Sequence, residues 1–331
     1  MTGSITPIRQ EDTPAEERAS MAESPAQTAA AQTSRPLSLW EHLSFSITHL
    51  IVSLLLLCLT LRGLYHFGRL FGTLEWLVNH GRRRRIARLF REVFGEKFGG
   101  ARRRQATREL FMVSRCDRLF YLIFDRIPTH KATTLFSVTN PELLEDSLAR
   151  GHGVHVAFSH HGPHHVAAML FALRGYHVTV VRDRKESPLR RFIQQRLIRK
   201  YPEFKRMRVI FADSYPREIF RCYRDGYVVG SAMDVGRVRD AKQRTETATM
   251  FGRERPFLSG PLSLALRCKA PVLQGFLLPE AGFRYRLQLI GTLIDPKDVE
   301  DQDAAVRKAV TRYAQAVEAH VARFPHLMSG V

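Results

Sequence analysis

From about residue 130 onward, seven short runs of apolar and β-branched residues, at 133–138, 154–159, 177–182, 208–212, 227–232, 271–278 and 284–290, alternate with helical patterns. A short run that is mostly apolar and β-branched, such as Val-His-Val-Ala-Phe-Ser at 154–159, suits a strand buried on both faces. Strands and helices in alternation bury those faces by packing helices on both sides of one sheet. The expected fold is α/β, a mixed and mostly parallel sheet flanked by helices, with an antiparallel hairpin near its end. Asn140-Pro141-Glu142, Ser187-Pro188 and Ser259-Gly260-Pro261 supply helix starts. Residues 301–324 close the chain as a long amphipathic helix.

At the end of the second run stands His-His-Gly-Pro-His-His, residues 160–165. Gly162 and Pro163 supply a turn, and Pro163 suits the first position of a helix, where its missing N–H would have no partner anyway. Such strand-to-helix turns lie at the sheet end where open α/β folds hold ligands. Three readings compete. A solvated loop accounts for the residues without function. A metal site could use His161 and His165, four apart, but no nearby carboxylate or cysteine completes a ligand set, so no metal is expected. A general base presented at the turn is the third, and the rest of the chain favours it.

The first 38 residues are Pro, Ala, Ser, Thr, Gln and Glu with few large apolar groups, a composition that cannot offset the entropy of ordering and reads as a disordered tail. Residues 43–61 are 19 consecutive uncharged positions. As a helix they would extend roughly 28 Å, close to the hydrocarbon thickness of a bilayer. Ser44, Ser46, Thr48, His49 and Ser53 make the first half of this run polar, so a buried core helix or a helix lying in the interface is the alternative. The domain plan is thus a tail over 1–38, a membrane anchor with a juxtamembrane helix over 39–79, and an α/β domain over 80–331.

The chain carries a net charge of +19, unevenly placed. Residues 1–39 hold three arginines against five acidic residues, whereas Arg62, Arg69, Arg82 to Arg85, Arg88, Arg91 and Arg102 to Arg104 follow the apolar run. The positive-inside rule puts everything after that run on the cytoplasmic side. Interleaved with Ile86, Leu89, Phe90, Val93 and Phe94, the arginines describe amphipathic helices on an anionic membrane surface. No nucleic-acid motif accompanies them, and nucleic acid is not an expected partner. The four cysteines are scattered, with no paired spacing, which excludes a disulfide framework and a zinc ribbon.

Five ordered blocks resemble the bacterial late acyltransferases of lipid A biosynthesis, a branch of the lysophospholipid acyltransferase superfamily. A strand ending in His-x4-Glu is matched by His160. A strand ending in arginine and followed by Asn-Pro is matched by Val180-Val181-Arg182 and Ser187-Pro188. Charged-Gly, an apolar run and Pro-Asp are matched from Asp225-Gly226 to Met233-Asp234. Phe-Gly and Pro before a Gly-x-x-x-Ala helix are matched by Phe251-Gly252-Arg253 and Gly260 to Ala265, and Ala-Pro-Val by Ala270-Pro271-Val272. The likeness runs from about residue 40 to the C-terminus. It implies a membrane-anchored enzyme, without a cofactor, that moves an acyl chain from an acyl carrier protein or coenzyme A thioester to a hydroxyl of a membrane lipid. His160 would be the base; Arg182, Asp234, Arg253 and one of Arg196 and Arg199, with Arg199 preferred, would hold substrate.

The chain departs from the pattern at His165, which stands where the family has glutamate. A neutral imidazole can fix the tautomer of His160 but carries no negative charge. Either the two histidines work as a pair, or a carboxylate such as Asp183 or Asp234 takes the role, or the chain is a relative that binds lipid without catalysis. A metal-dependent hydrolase is the remaining class. If the missing carboxylate limits the rate, His165→Glu should raise activity.

Overall fold

The structure is a computed structural model and describes residues 38–96, 98–182, 188–211, 217–234 and 243–328, without the side chains of residues 182, 190 and 211. The tail expected over 1–38 falls almost wholly outside the described residues, as do Asp183 and Ser187.

Four long helices come first: α1 (Leu39–Cys58), α2 (Leu61–Val78), α3 (His80–Phe94) and α4 (Gly100–Ile123). Ser38 starts α1 through a capping box, its hydroxyl accepting from the Glu41 N–H while the Glu41 carboxylate accepts from the Ser38 N–H. The polar first half of α1 satisfies itself: Thr48 donates to the Ser44 carbonyl (2.9 Å) and Ser53 to that of His49 (2.6 Å). The uncharged run expected as one continuous helix breaks at Leu59, where Thr60 caps α2 by accepting from the Gly63 N–H (3.1 Å). The first charged residue after that run, Arg62, thus falls in a second helix. α2 lies tightly on α4 because Gly72 has no side chain; a Cβ there would come 2.6 Å from the Met112 Cα.

The remainder is α5 (Thr129–Thr134), β1 (Phe136–Thr139), α6 (Pro141–Leu148), β2 (Val154–Phe158), α7 (Ala167–Leu173), β3 (Val178–Arg182), α8 (Pro188–Lys200), β4 (Met207–Phe211), α9 (Arg217–Arg224), β5 (Val228–Ala232), β6 (Thr245–Met250), β7 (Arg253–Leu258), α10 (Gly260–Arg267), β8 (Val272–Glu280), β9 (Arg284–Ile294) and α11 (Gln302–Arg323). Seven strands form one sheet in the order β1-β9-β8-β2-β5-β3-β4. All its pairs are parallel except β8 with β9, the hairpin expected near the end. The sequence pattern misses a separate hairpin, β6 with β7, whose strands Thr-Glu-Thr-Ala-Thr-Met and Arg-Glu-Arg-Pro-Phe-Leu are too polar to read as core. Its two-residue turn, Phe251-Gly252, has positive φ at both positions (52° and 70°), as a tight hairpin requires.

β2 sits in the middle of the sheet, and its side chains alternate between two cores. Val154, Val156 and Phe158 pack with the α4 and α7 side, while Ala157 joins Val229 and Val272 on the side covered by α10 and α11. His155, on that second face, is satisfied by the Tyr223 hydroxyl (2.7 Å) and Ser231 (3.2 Å). Burial pushes its imidazole down to about 4, so it stays neutral.

α1 is fastened along the domain at its midpoint. His49 Nε2 meets Asp125 Oδ1 at 2.9 Å, and the other Asp125 oxygen accepts from Arg196 Nε of α8 at 2.8 Å. Phe192 of α8 lies against the rings of His42, Phe45 and His49. The opposite face of α1, including Leu43, Ile47, Leu50 and Leu54, is exposed, and Leu70, Leu74 and Leu77 of α2 are exposed as well.

Candidate active site

Register brings the candidate base to its partner. β2 and β5 run parallel with Phe158 opposite Ala232, so the residues two steps beyond each strand end, His160 and Asp234, lie side by side. His160 Nδ1 is 3.0 Å from Asp234 Oδ1 and 3.1 Å from the Asp234 carbonyl. Both neighbours are acceptors, so Nδ1 carries the ring proton and the lone pair resides on Nε2.

Asp234 is held from all sides and only 8% exposed. Its carboxylate accepts from the His160 backbone N–H (2.9 Å), the Ser159 hydroxyl (2.7 Å) and the Tyr313 hydroxyl of α11 (3.3 Å). Burial works to raise its carboxyl, but the hydrogen bonds from His160 and Ser159 and the two adjacent imidazoles outweigh burial and hold it below the usual carboxylate range. The single Tyr313 O–H is shared between Asp234 and the nearer Phe158 carbonyl (2.7 Å), which ties α11 to the end of β2.

The other histidines diverge. His161 is buried, 3.6 Å from Asp234 Oδ2, and burial lowers its imidazole. His164 packs edge-on to His160 with ring centres 5.0 Å apart, and burial pushes it down to about 3. His165 turns to Asp117 of α4, its Nε2 being 3.4 Å from Asp117 Oδ2. Burial pushes the Asp117 carboxyl up to about 6, against a hydrogen bond from Tyr285 (3.1 Å). His161 and His165 thus address different carboxylates. Among the described residues no three His, Cys, Asp or Glu side chains cluster as a metal site would require. Pro163 does not open an α-helix: a 3-10 turn, His164–Val166, precedes α7 and spends the histidines on contacts rather than on a helix face.

His160 borders a cavity of about 640 Å³ whose walls include Arg82, Arg85 and Arg88 of α3, Asp117 of α4, and His326 and Leu327 near the C-terminus. A smaller cavity of about 150 Å³ shares Val113, Asp117 and His326 with it. The Gly162 N–H donates to the Leu327 carbonyl (2.8 Å), which pins the histidine loop to this wall. Arg253, the first residue of β7, reaches the carbonyl of Glu92, a cavity residue (3.4 Å). Arg182 ends β3, two strands from β2 in the sheet, and its side chain is not among those described. Arg199 is exposed in the last turn of α8 and lines neither cavity, whereas Arg196 is the partner of Asp125. Asp117, Tyr313 and Tyr285 are not singled out by sequence, and the α3 arginines, legible there only as a membrane-facing basic run, include three in the cavity wall. No motif marks a lone aspartate in an arginine-rich helix or a tyrosine on a closing helix.

Residues 38–327 match the family of bacterial lipid A biosynthesis acyltransferases. The chain belongs to that family. Acyl transfer to a lipid is therefore its general reaction class. No curated protein matches the chain. Within this acyltransferase, His160 stands two residues past the end of β2, the carboxylate beside it is Asp234, and His165, in the family's glutamate position, has a separate acid of its own.

Proposed function

We propose that the protein is a membrane-anchored O-acyltransferase that moves a fatty acyl chain from an acyl carrier protein or coenzyme A thioester to a hydroxyl of a lipid, such as a lipid A precursor or a lysophospholipid. The observation that carries this reading is the His160–Asp234 pair at the edge of a cavity walled by arginine and apolar side chains. A lipid hydroxyl is a poor nucleophile near neutral pH and needs a base within hydrogen-bond reach. His160 Nε2 takes the hydroxyl proton as the oxygen attacks the thioester carbonyl carbon. The tetrahedral oxyanion collapses, the C–S bond breaks, and the imidazolium returns its proton to the departing thiolate. Asp234 holds the Nδ1 proton and stabilises the transient imidazolium, the part an acid plays behind a catalytic histidine. His165 supports this arrangement from the neighbouring Asp117 rather than from Nδ1 of His160.

The anchor in this reading is α1 with the outer face of α2. Their exposed leucines and aromatics suit acyl chains, and the arginines that follow suit anionic headgroups on the cytoplasmic face of the inner membrane. α1 is 20 residues long, enough to cross, but crossing would require the His49–Asp125 clasp to open. With the clasp closed, α1 meets lipid along its outward face.

A second reading, a lipid-binding relative without catalysis, is favoured by one observation, the imidazole in the family's glutamate position. One experiment separates the two. Full-length protein in neutral detergent is given radiolabelled acyl carrier protein and coenzyme A thioesters together with a bacterial lipid extract. Label should enter a lipid ester fraction with wild type and not with His160→Ala of unchanged melting temperature. Absence of label from every lipid fraction would leave the binding reading.

A further inference from the structure

α3 carries six arginines, and their partners divide them. Arg82 donates to Glu75 (2.9 Å) and lies 4.4 Å from the Phe111 ring centre. Arg83 is spent on the Trp76 carbonyl (3.3 Å) and the Trp76 ring (5.2 Å), and Arg91 stands 3.6 Å from Glu96. Arg85 and Arg88 have no hydrogen bond or ion pair to a described residue, and both line the cavity that His160 borders. Three apart on a helix, they share a face and repel one another unless an anion lies between them. Apolar residues of the same cavity, Ile86, Leu89, Leu110 and Leu327, would exclude a bare inorganic ion's full hydration shell but suit a chain attached to it. Two carboxylates are also present: Asp117, engaged by His165 and Tyr285, and Glu92, whose own carbonyl draws Arg253 to the end of the wall. The balance remains cationic.

We propose that Arg85 and Arg88 form a phosphate subsite for an amphiphilic ligand whose reacting group reaches His160. Guanidinium forks bind phosphate oxygens in pairs, and two of them suit a dianionic monoester or the oxygens of a phosphodiester or pyrophosphate. The phosphate has two possible sources, the headgroup of the acceptor lipid or the phosphopantetheine arm common to acyl carrier protein and coenzyme A thioesters. What reaches His160 rests on the acyl-transfer reading; the binding of phosphate does not.

The test measures binding without turnover. Full-length protein in uncharged maltoside micelles is titrated with coenzyme A, with lysophosphatidic acid doped into the micelles, and with monoacylglycerol as the uncharged control. The Arg85→Gln/Arg88→Gln variant should bind at least one phosphate probe about 10- to 100-fold more weakly, the loss of one or two charge-assisted contacts, and monoacylglycerol equally well. Loss for lysophosphatidic acid alone assigns the acceptor headgroup, loss for coenzyme A alone assigns the donor arm, and loss for both means that one subsite reads either phosphate. Arg84, exposed like Arg85 and Arg88, does not line the cavity, so Arg84→Gln should bind both probes like wild type. An equal loss in Arg84→Gln, equal phosphate affinities in wild type and the double variant, or no phosphate-dependent binding by wild type would each overturn the subsite. If the subsite binds as stated but no acyl transfer is ever seen, the reaction reading fails and the subsite stands.

Discussion

His160 Nδ1 lies 3.0 Å from a carboxylate oxygen of Asp234, a residue 74 positions later in the chain. The pairing follows from one register, Phe158 opposite Ala232, that sets two parallel strand ends level. It fixes which imidazole nitrogen holds the proton, and so which one can accept another.

Asp234→Asn tests that dependence. An amide that turns its NH2 toward Nδ1 makes Nδ1 an acceptor, moves the ring proton to Nε2, and removes the lone pair that would take the substrate proton. Turnover should fall by roughly 10²–10⁴, as it does when a protease triad loses its acid, with substrate affinity little changed. The measurement is kcat against KM, beside a thermal melt to confirm folding. A variant with undiminished kcat would remove Asp234 from the mechanism.

His165→Glu would restore the family's His-x4-Glu spacing, and from sequence it should gain activity if the missing carboxylate limits the rate. The geometry around His165 argues for a loss instead. His165 Nε2 stands 3.4 Å from Asp117, whose carboxyl burial has already pushed up to about 6. A second carboxylate placed there would repel the first and raise both protonation equilibria further. The single variant should lose stability and activity, and Asp117→Asn added to it should recover both. Activity above wild type in His165→Glu alone would show that the glutamate can reach His160 past Asp117.

Much of this could be read from the sequence because the signals were local. The strand runs around Val156, Val180, Val229 and Leu273 are continuous and apolar, and each lies in a strand of the sheet. The histidine loop sat at the end of such a run, so its place at the sheet edge was legible too. What was not legible depended on contacts across the chain. Asp117 is one acid among arginines on α4, and nothing local shows that it faces His165 and Tyr285. The β6–β7 hairpin carries too many charges for its alternation to register, although its Phe-Gly turn was visible as a motif. The break at Leu59 was hidden because both flanks are apolar and only the Thr60 cap marks it.

Asp125 is the second acid invisible to sequence, and it governs how α1 sits. It joins His49 at 2.9 Å and Arg196 at 2.8 Å, with the His49 and Asp125 side chains almost wholly buried. Asp125→Ala leaves His49 Nε2 buried without its partner, while Nδ1 keeps the Ser53 hydroxyl at 3.4 Å. The cost should be about 2–4 kcal/mol, toward the low side of values for broken buried pairs because Arg196 can reach water. Trypsin should then cut sooner at Arg62, just past the α1–α2 junction, in detergent-solubilised protein. Unchanged cleavage and an unchanged melt would mean that Phe192 packing alone holds α1 in place.

Acid should unfold the protein through its buried imidazoles, and His320 isolates one of them. Its ring stacks on Phe276 with centres 4.0 Å apart and planes 5° from parallel, and its Nε2 is buried without a hydrogen-bond partner among described residues. Burial, reinforced by the nearby His161, His326 and Arg323, pushes its pKa from 6.5 down to about 4. Folded His320 therefore stays neutral while the unfolded residue takes a proton as pH falls below 6.5. Between that value and about 4 the unfolded state binds more protons, so stability drops as pH falls through the window. The full shift is worth on the order of 3 kcal/mol at most. His320→Phe keeps the stack, removes the unsatisfied nitrogen and abolishes that titration. Its melting temperature should rise slightly at pH 7 and by a larger margin near pH 5. His155 and His164, also held neutral by burial at about 4 and about 3, would leave a residual acid slope. Urea melts of wild type and His320→Phe across pH 4.5–7.5 measure the difference directly, and a stability gap that does not widen toward acid would show that His320 titrates normally in the folded chain.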